Sequence, residues 1–261
     1  MASGIDFALL RDHLATVSSR FDVDWLPECD STNTQLLARA TTGAAAGLVL
    51  GAERQTAGRG RRGRRWHASP DCSLTFSLLW RLPVGAPLHG LSLAVGVAIA
   101  QGLATLGCDA IQLKWPNDIW LNGAKLGGVL VETAAQGNLV IGIGLNLRRD
   151  PAWQADVDQA FAALEDALPA LPTREATLAA ILCALAEVLD CFADAGFAPL
   201  REAWCARNAL LGQTISVSSE NMQESGICGQ VSAEGALILN RPGRSELLIN
   251  HGDVSLTRVQ S

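Results

Sequence analysis

The chain of 261 residues is long enough for one large domain, or for one large and one small domain, and its core needs no disulfides. Hydrophobic residues make up 49% and charged residues 18%, which excludes a disordered chain and indicates a compact, enzyme-like protein. The net charge of −6 argues against a broad nucleic-acid-binding face. The seven cysteines form no CxxC pair and no tight Cys/His spacing, so we expect reduced, mostly buried thiols in a cytoplasmic protein and no zinc site.

The N-terminal segment carries Asp6 and Asp12 and no long apolar region, which is atypical of a signal peptide. Apolar residues at helical spacing predict a helix over residues 7 to 17, followed by an extended segment at 25 to 28. Ser31, Thr32 and Asn33 precede an apolar pair and predict a helix start. These three residues either cap that helix or offer hydroxyls and an amide to a ureido or amide ligand.

Residues 55 to 66, QTAGRGRRGRRW, hold five arginines and three glycines within the last nine positions. The segment lies between two predicted strands, 48 to 54 and 73 to 80, so it is a loop. Arginine forks match carboxylate and phosphate oxygens, and glycines let backbone N–H groups approach an anion. We therefore predict a mobile loop that closes over an anionic ligand. The literal GxGxxG at 58 to 63 does not fit a dinucleotide site, because a strand rather than a helix follows it.

A turn at 83 to 87 leads to a helix over 91 to 106, within the most apolar stretch of the chain, residues 91 to 108. We expect a packed core helix there rather than a membrane span, because the stretch contains Gln101 and three glycines. Two short strands then flank the break KWPND at 114 to 118, and Asn122-Gly123 predicts a hairpin. Further strands over 125 to 132 and 138 to 147 indicate a mixed or antiparallel sheet rather than repeated βαβ units.

The remaining chain predicts a helix and a loop over 151 to 172, a long amphipathic helix over 174 to 195 and a short helix over 199 to 208. From residue 212 the sequence pattern changes. Short runs of alternating apolar and polar residues follow at 214 to 217, 227 to 231, 236 to 239 and 247 to 249. This change predicts a small all-β module. We place two domains at residues 1 to 210 and 211 to 261.

Several polar residues are candidates for chemistry. Asp118 could hold Mg²⁺ or draw a proton from an amine nucleophile. Lys125 follows the hairpin and precedes Gly127 and Gly128, which permit close ligand approach. Glycines at 142 and 144 alternate with apolar residues and leave one sheet face bare, either for close sheet packing or for a ring system.

Taken together, these segments resemble the biotin–protein ligases. The matching motifs are DSTN at 30 to 33, QTAGRGRRGRRW at 55 to 66, KWPNDIW at 114 to 120, KLGGVLVE at 125 to 132 and GIGLNL at 142 to 147, with EGALIL at 234 to 239 resembling the C-terminal module. The resemblance implies an α+β fold, with a mixed or antiparallel sheet flanked by helices in a class II synthetase-like catalytic domain and a small C-terminal SH3-like β-barrel. It also implies a two-step reaction, in which biotin and ATP with Mg²⁺ form biotinyl-5′-AMP and biotin is transferred to a lysine of the biotin carboxyl carrier protein of acetyl-CoA carboxylase.

The resemblance also implies roles for individual residues. The implied catalytic residues are Arg61, Lys125 and Asp118. The implied biotin-binding residues are Ser31, Thr32, Asn33, Gln55, Gly58, Arg59, Gly60, Arg61, Lys125, Gly127 and Gly128. The implied ATP- or adenylate-binding residues are Arg59, Arg61, Arg62, Arg64, Trp66, Asn117, Lys125, Gly142, Gly144 and Asn146. No structural metal site is expected, and Mg²⁺ would accompany ATP through Asp118 or Asn146.

Only about 24 residues precede the extended segment that leads to DSTN, so we expect a monofunctional ligase without a winged-helix domain and without specific DNA binding. We expect no membrane association, and either a monomer or a homodimer. Two alternatives remain at this point. One is a lipoate–protein ligase, which shares the adenylation logic, and the other is a nucleic-acid-binding protein that uses the arginine loop.

Overall fold

A seven-stranded sheet forms the centre of the molecule, in the order β1-β2-β3-β7-β6-β5-β4. The computed structural model describes residues 4–83, 85–134, 137–150, 160–219 and 222–257. β1 and β2 run parallel and all other neighbouring pairs run antiparallel, so the predicted mixed sheet is confirmed. The strands are β1 (Asp22–Cys29), β2 (Leu48–Gln55), β3 (Ser73–Arg81), β4 (Ile111–Lys114), β5 (Asp118–Leu121), β6 (Ala124–Thr133) and β7 (Asn138–Asn146).

Helices cover both faces of this sheet. On one face α2 (Thr32–Thr41) buries Leu36 against Leu50, Leu79 and Val140 of three strands. On the other face α3 (Leu91–Thr105) and α4 (Arg174–Ala195) pack against each other and against the odd-numbered residues of β7, such as Ile141. The two-residue alternation of the strands thus separates two apolar layers. On the α2 face, Ser77 of β3 contacts Thr32 and Asn33 at the N-terminal end of α2.

The predicted N-terminal helix is shorter than expected. α1 (Phe7–Leu14) ends at Leu14 and continues as a 3-10 segment, Ala15–Arg20, because Ala15 adopts a positive φ of 47° that breaks the helical path. Both pieces pack on α4. The short helix predicted near residue 200 is α5 (Arg201–Cys205), and a 3-10 turn at Leu164–Asp166 lies in the region predicted as helix and loop, of which residues 151 to 159 are outside the described part of the chain.

Within the described residues, α4 is the helix that is long and apolar enough to cross a membrane, rather than the stretch at 91 to 108 that the sequence singled out. Its apolar residues are buried by packing on α1 and α3, with Leu178, Ile181 and Leu185 fully enclosed. This burial is typical of a core helix, since a lipid-facing helix would leave those residues outside the protein core.

The C-terminal residues form a second sheet of five antiparallel strands in the order β11-β10-β9-β8-β12. The strands are β8 (Thr214–Ser219), β9 (Met222–Val231), β10 (Leu237–Asn240), β11 (Leu247–Ile249) and β12 (Asp253–Leu256). The sequence prediction missed β12, whose alternation covers only four residues. This small sheet fits the predicted SH3-like module. Trp115, which lies between β4 and β5 of the central sheet, contacts it by donating its indole N–H to the carbonyl of Gly235 at 3.1 Å. The exact domain boundary near residue 210 stays a prediction.

All seven cysteines are free thiols, but only Cys108 and Cys228 are buried, so the expectation of mostly buried cysteines is wrong. Burial raises the pKa of both Cys29 and Cys228 to about 11. Because the thiolate is the reactive form, these two thiols are poor nucleophiles at neutral pH.

Candidate active site

A cavity of about 250 Å³ lies between the arginine loop, the N-terminus of α2 and the α2 face of β3, β6 and β7. Its size is near the lower end of the range for small-molecule sites, roughly 300–1,000 Å³. The described lining residues include five cations, Arg59, Arg61, Arg64, Arg65 and Lys125, against one carboxylate, Asp118. An acidic protein therefore concentrates positive charge in one recess, as the sequence predicted.

One end of the cavity is polar and neutral. Thr32 donates its backbone N–H to Gln55 Oε1 at 2.7 Å, and Ser77 Oγ lies 2.7 Å from Thr32 Oγ1 and 2.5 Å from Asn33 Oδ1. The Ser31 side chain makes no cap hydrogen bond with the helix, so the helix-cap interpretation of that hydroxyl is wrong. These residues are at most 8% exposed, which leaves a fixed set of hydroxyl and amide groups for an uncharged polar ligand.

Asn33 is held from a second side by a carboxylate that the sequence analysis did not single out. Its Nδ2 donates to Glu132 Oε2 at 2.9 Å, while Arg59 Nη2 donates to Glu132 Oε1 at 2.6 Å. Glu132 thus joins the neutral end of the cavity to the arginine loop. Glu132 ends the KLGGVLVE motif on β6, and its pairing with Asn33 depends on contacts between elements almost 100 residues apart.

The arginine loop folds over the cavity in a short 3-10 turn at Arg61–Gly63. Arg61 Nη1 donates to Asn117 Oδ1 at 3.2 Å, and burial lowers the pKa of its guanidinium, with Asp253 opposing that effect. Trp66 closes the loop, because its indole N–H donates to Thr75 Oγ1 at 3.2 Å and its ring lies over Gly144. The loop thus supplies both cations and a flat apolar wall.

Two lysines share Asp118 at the floor of the cavity. Lys125 Nζ lies 2.6 Å from Asp118 Oδ1, and Lys114 Nζ lies 3.6 Å from Oδ2. Lys114 is buried beneath, 5.0 Å from the Trp120 ring centre, and burial lowers the pKa of its ammonium. Both Asp118 oxygens face ammonium groups, so the expected Mg²⁺ ligand role does not fit this carboxylate. Among the described residues no cluster of three His, Cys, Asp or Glu side chains is placed to hold a metal.

Asn117 and Asn146 complete the wall opposite the neutral end. Asn117 Nδ2 donates to the Val129 carbonyl at 2.7 Å, and Asn146 Nδ2 donates to the Ala162 carbonyl at 3.0 Å. Both residues line the cavity, and Asn146 is 6% exposed. The two side chains are therefore oriented by strand and loop carbonyls before any ligand arrives.

Three residues predicted for the site lie outside the described cavity lining. Arg62 has a left-handed φ of 54°, and its side chain lies against Asp253 on the outer side of the loop. Gly58 lies where the two ends of the loop cross, and a Cβ there would be 2.3 Å from the Trp66 carbonyl oxygen. Gly127 faces the neighbouring strand β7 rather than the ligand space. Gly58 and Gly127 are thus required for backbone packing.

For Gly142 and Gly144 the sequence left two alternatives, close packing or room for a ring system, and the structure shows close packing of side chains over both. A Cβ at Gly142 would lie 2.2 Å from Asn33 Oδ1, and a Cβ at Gly144 would lie 2.4 Å from the Trp66 ring. Protein side chains thus lie close above these glycines, and both glycines also line part of the cavity. The absence of a Cβ at these two glycines leaves room for Asn33 and Trp66, and these two side chains define the shape of the ligand space.

The different environments of Gly127 and Gly128 lead to a stability prediction. Gly127→Ala would place a Cβ 2.3 Å from the Gly144 carbonyl oxygen, and the sheet backbone cannot yield, so we expect a loss of about 3 kcal/mol of unfolding free energy. Gly128→Ala is the matched control, because its Cβ meets nothing closer than 3.6 Å. Urea denaturation measures both, and equal stabilities of the two variants would contradict the packing role of Gly127.

Further lining residues were not predicted from the sequence. The described wall also contains Arg65, His67, Thr75, Phe76, Leu130 and Phe161. Thr75 lies on β3, whose polar residues alternate with buried apolar ones, and this period could have placed it on the ligand side. Phe161 reaches the cavity through a backbone bridge beside Lys125, for which the sequence carries no signal.

Comparisons with known proteins agree with this geometry. Two models of the biotin/lipoate A/B protein ligase family match residues 25–146 and 89–206, which together include the central sheet except for the first three residues of β1. The biotin--[acetyl-CoA-carboxylase] ligase of Mycobacterium tuberculosis is 35% identical over 259 residues, covering 96% of this chain and 95% of the relative. This chain belongs to the biotin/lipoate protein ligase family. The resemblance seen in the motifs is therefore confirmed across nearly the whole sequence.

Two further comparisons extend this family assignment. The bifunctional ligase/repressor BirA of Escherichia coli is 36% identical over 224 residues, covering 84% of this chain and 69% of BirA. The solved structure of biotin protein ligase from Aquifex aeolicus in complex with biotin and ATP aligns with a TM-score of 0.79 and 27% identity, covering 90% of this chain and 99% of that chain. The family fold thus includes both the central sheet and the C-terminal sheet of this protein.

Proposed function

We propose that this protein is a biotin–[acetyl-CoA-carboxylase] ligase, which activates biotin with ATP and transfers it to a lysine of the biotin carboxyl carrier protein. The observation that carries the proposal is one cavity that joins a neutral hydrogen-bonding end to a wall of five cations. The neutral end suits the ureido ring of biotin, and the cationic wall suits a carboxylate beside a triphosphate. Relatives of this chain are named as biotin ligases, and one structural neighbour holds biotin and ATP.

In the first step a carboxylate oxygen of biotin attacks the α-phosphorus of ATP, the bond to the β-phosphate breaks, and pyrophosphate leaves with the electron pair. The two reactants are both anions, so their approach is opposed by charge repulsion. Lys125 and Arg61 offset that repulsion and stabilise the charge that develops on the phosphoryl oxygens. Arg59, Gly60 and Arg64 hold the loop side of the carboxylate and phosphates.

In the second step the carrier lysine amine attacks the acyl carbon of biotinyl-5′-AMP and an amide bond forms. The nitrogen releases one proton, and AMP leaves with the electron pair of the broken acyl–oxygen bond. Asp118 is the one carboxylate among the described residues that line the cavity, so it is the candidate to orient this amine or to accept its proton. Trp66, Asn117 and Asn146 shape the nucleotide side. Mg²⁺ enters as part of the ATP substrate rather than as a resident metal, since the Asp118 oxygens already face two lysines.

The decisive measurement is biotin-dependent exchange of labelled pyrophosphate into ATP. We expect exchange with biotin and Mg²⁺, and none when biotin methyl ester replaces biotin, because the ester lacks the attacking carboxylate. Transfer of labelled biotin to the biotin carboxyl carrier domain then tests the second step. Absence of exchange with biotin refutes the proposal, and exchange with lipoate but not with biotin supports the alternative lipoate–protein ligase.

The second alternative, nucleic-acid binding through the arginine loop, is disfavoured by the direction of its side chains. Four of the five loop arginines line the cavity, and several are paired with Glu132 or Asp253. They do not form an open basic face of the kind that tracks a phosphate backbone. The absence of specific DNA binding, a cytoplasmic location without membrane association, and a monomeric or homodimeric state all stay predictions. Loop closure on ligand binding also stays a prediction.

A further inference from the structure

Asp253, the first residue of β12, is the meeting point of three arginines from the loop. Arg64 Nη2 lies 2.6 Å from its Oδ2, Arg62 Nη1 lies 3.3 Å from the same oxygen, and Arg61 Nη1 lies 3.7 Å from Oδ1. Two neighbouring carbonyls add weaker contacts, because Gly252 and Ser218 each accept from a loop arginine at 3.5 Å. One edge of the C-terminal sheet thus receives most of the charge of the loop.

Asp253 is not among the described residues that line the cavity, whereas Arg61 and Arg64 are. The carboxylate therefore lies behind these two cations, on the side away from the ligand. Arg61 links the two parts of the molecule, since the same guanidinium that faces Asp253 also donates to Asn117 at 3.2 Å. The position of the cationic wall is consequently set by the catalytic sheet on one side and by the C-terminal sheet on the other.

Electrostatics explain why such an anchor is needed. Three guanidinium groups within four residues repel one another. Without a nearby anion, these side chains would move apart and point into the solvent. Burial lowers the pKa of Arg61 most, Asp253 opposes this by raising it, and the neighbouring charges of Arg62 and Arg64 lower it further. Asp253 thus offsets the repulsion among these arginines and stabilises the folded loop before a triphosphate is present.

We propose that Asp253 is a positioning residue for the ATP triphosphate, through which the C-terminal sheet holds Arg61 and Arg64 on the cavity wall. The inference rests on the proposed function, because it assumes that ATP is the anionic ligand. It assigns the C-terminal sheet a part in the first reaction step. The ligand does not contact Asp253 itself, so its loss changes how well the arginines are placed rather than removing a ligand contact.

The test compares Asp253→Asn with wild-type protein in biotin-dependent ATP–pyrophosphate exchange. We expect the KM for ATP to rise about tenfold, the size expected for losing one partly exposed charged contact, while the KM for biotin changes less than about twofold. Biotinyl-5′-AMP should also dissociate faster from the variant after gel filtration. Asp253→Glu should restore most of the ATP affinity, because it keeps the charge at this position.

Glu224→Gln is the matched control. Glu224 lies on β9 of the same sheet, is similarly exposed, and pairs with Arg241 at 3.5 Å without any described contact to the loop. We expect its kinetic constants and thermal midpoint to match wild type. This variant separates a specific effect of Asp253 from a general effect of removing a carboxylate from the sheet.

Two results overturn the inference. One is an unchanged KM for ATP in Asp253→Asn. The other is an equal loss of kcat/KM for ATP and for biotin together with a lower thermal midpoint, because that pattern indicates a merely structural role for Asp253. A wild-type protein that shows no biotin-dependent exchange refutes the proposed function instead. The two failures are therefore distinguishable within one experiment.

Discussion

Lys125→Ala is expected to lower the rate of biotinyl-5′-AMP formation by roughly 10²–10³-fold, the effect typical of removing one preorganised charged group from a transition state. Lys125 lines the cavity in which, on the proposed function, a carboxylate and an α-phosphate must approach each other. The variant loses a cation and also leaves Asp118 less well neutralised, because the ion pair at 2.6 Å is lost and only Lys114 remains at 3.6 Å. A partly unpaired carboxylate would then repel both substrates.

Lys125→Ala thus removes a cation and also exposes the charge of Asp118. A second substitution that removes the Asp118 charge should therefore restore part of the lost rate. In the first half-reaction Lys125→Ala/Asp118→Asn should be faster than Lys125→Ala by about tenfold, while Asp118→Asn alone should match wild type. In a double-mutant cycle these two results correspond to a coupling free energy of about 1.4 kcal/mol. Lys125→Arg keeps the charge and tests whether shape matters as well. Single-turnover adenylate formation is the appropriate measurement, since it separates the first step from transfer.

Two outcomes would contradict this account. Wild-type rates in Lys125→Ala would show that the lysine is not needed for activation. A double variant no faster than the single variant would show that the Asp118 charge is not a source of repulsion in the empty site. In the transfer step Asp118→Asn is expected to be impaired in both backgrounds, because that step requires an oriented amine.

The sequence predicted much of the fold because the decisive signals are local. The strands that flank the arginine loop, the break at KWPND and the hairpin at Asn122-Gly123 all follow from turn chemistry and two-residue alternation. The extent of α4 was predicted at Arg174–Ala195 because its apolar residues recur at helical spacing. The short strand β12 was missed, because its four residues contain only two repeats of the strand alternation, too few to distinguish a strand from a loop.

The site could be predicted only where several of its residues lie close together in the sequence within one motif. Arg61, Lys125 and Asp118 come together in the cavity as the motifs suggested, although the role of each remains a proposal. Asp253 could not be found, because a single aspartate after a glycine has no local signature and its partner Arg64 is 189 residues away in sequence. Long-range ion pairs depend on how two sheets dock, and no periodicity in the chain encodes that.

The glycines of β7 show the same limit from another direction. Alternation correctly indicated that Gly142 and Gly144 share one face of the sheet, but it could not say what fills the space above them. The structure places Asn33 over one and Trp66 over the other. Because these two residues belong to opposite ends of the cavity, the glycines divide the ligand space into a polar end and an aromatic end.

Gly142→Ala is therefore expected to raise the KM for biotin by roughly 10–100-fold, with a smaller change in the KM for ATP, on the scale of an overpacking cost of about 1–3 kcal/mol. The new Cβ would lie 2.2 Å from Asn33 Oδ1. Asn33 cannot retreat without loss, because Ser77 holds its oxygen at 2.5 Å and Glu132 holds its nitrogen at 2.9 Å. Displacing it disrupts the neutral hydrogen-bonding end of the cavity.

Gly144→Ala provides the matched comparison on the same strand and the same face. Its Cβ would lie 2.4 Å from the Trp66 ring, which is held by one hydrogen bond to Thr75 and can move with the loop. We therefore expect the opposite kinetic pattern, a raised KM for ATP and a nearly unchanged KM for biotin. Exchange assays with each substrate varied in turn measure both patterns. If the two variants alter both constants in the same proportion, the division of the cavity by these glycines is wrong, because a general loss of sheet packing does not distinguish biotin from ATP.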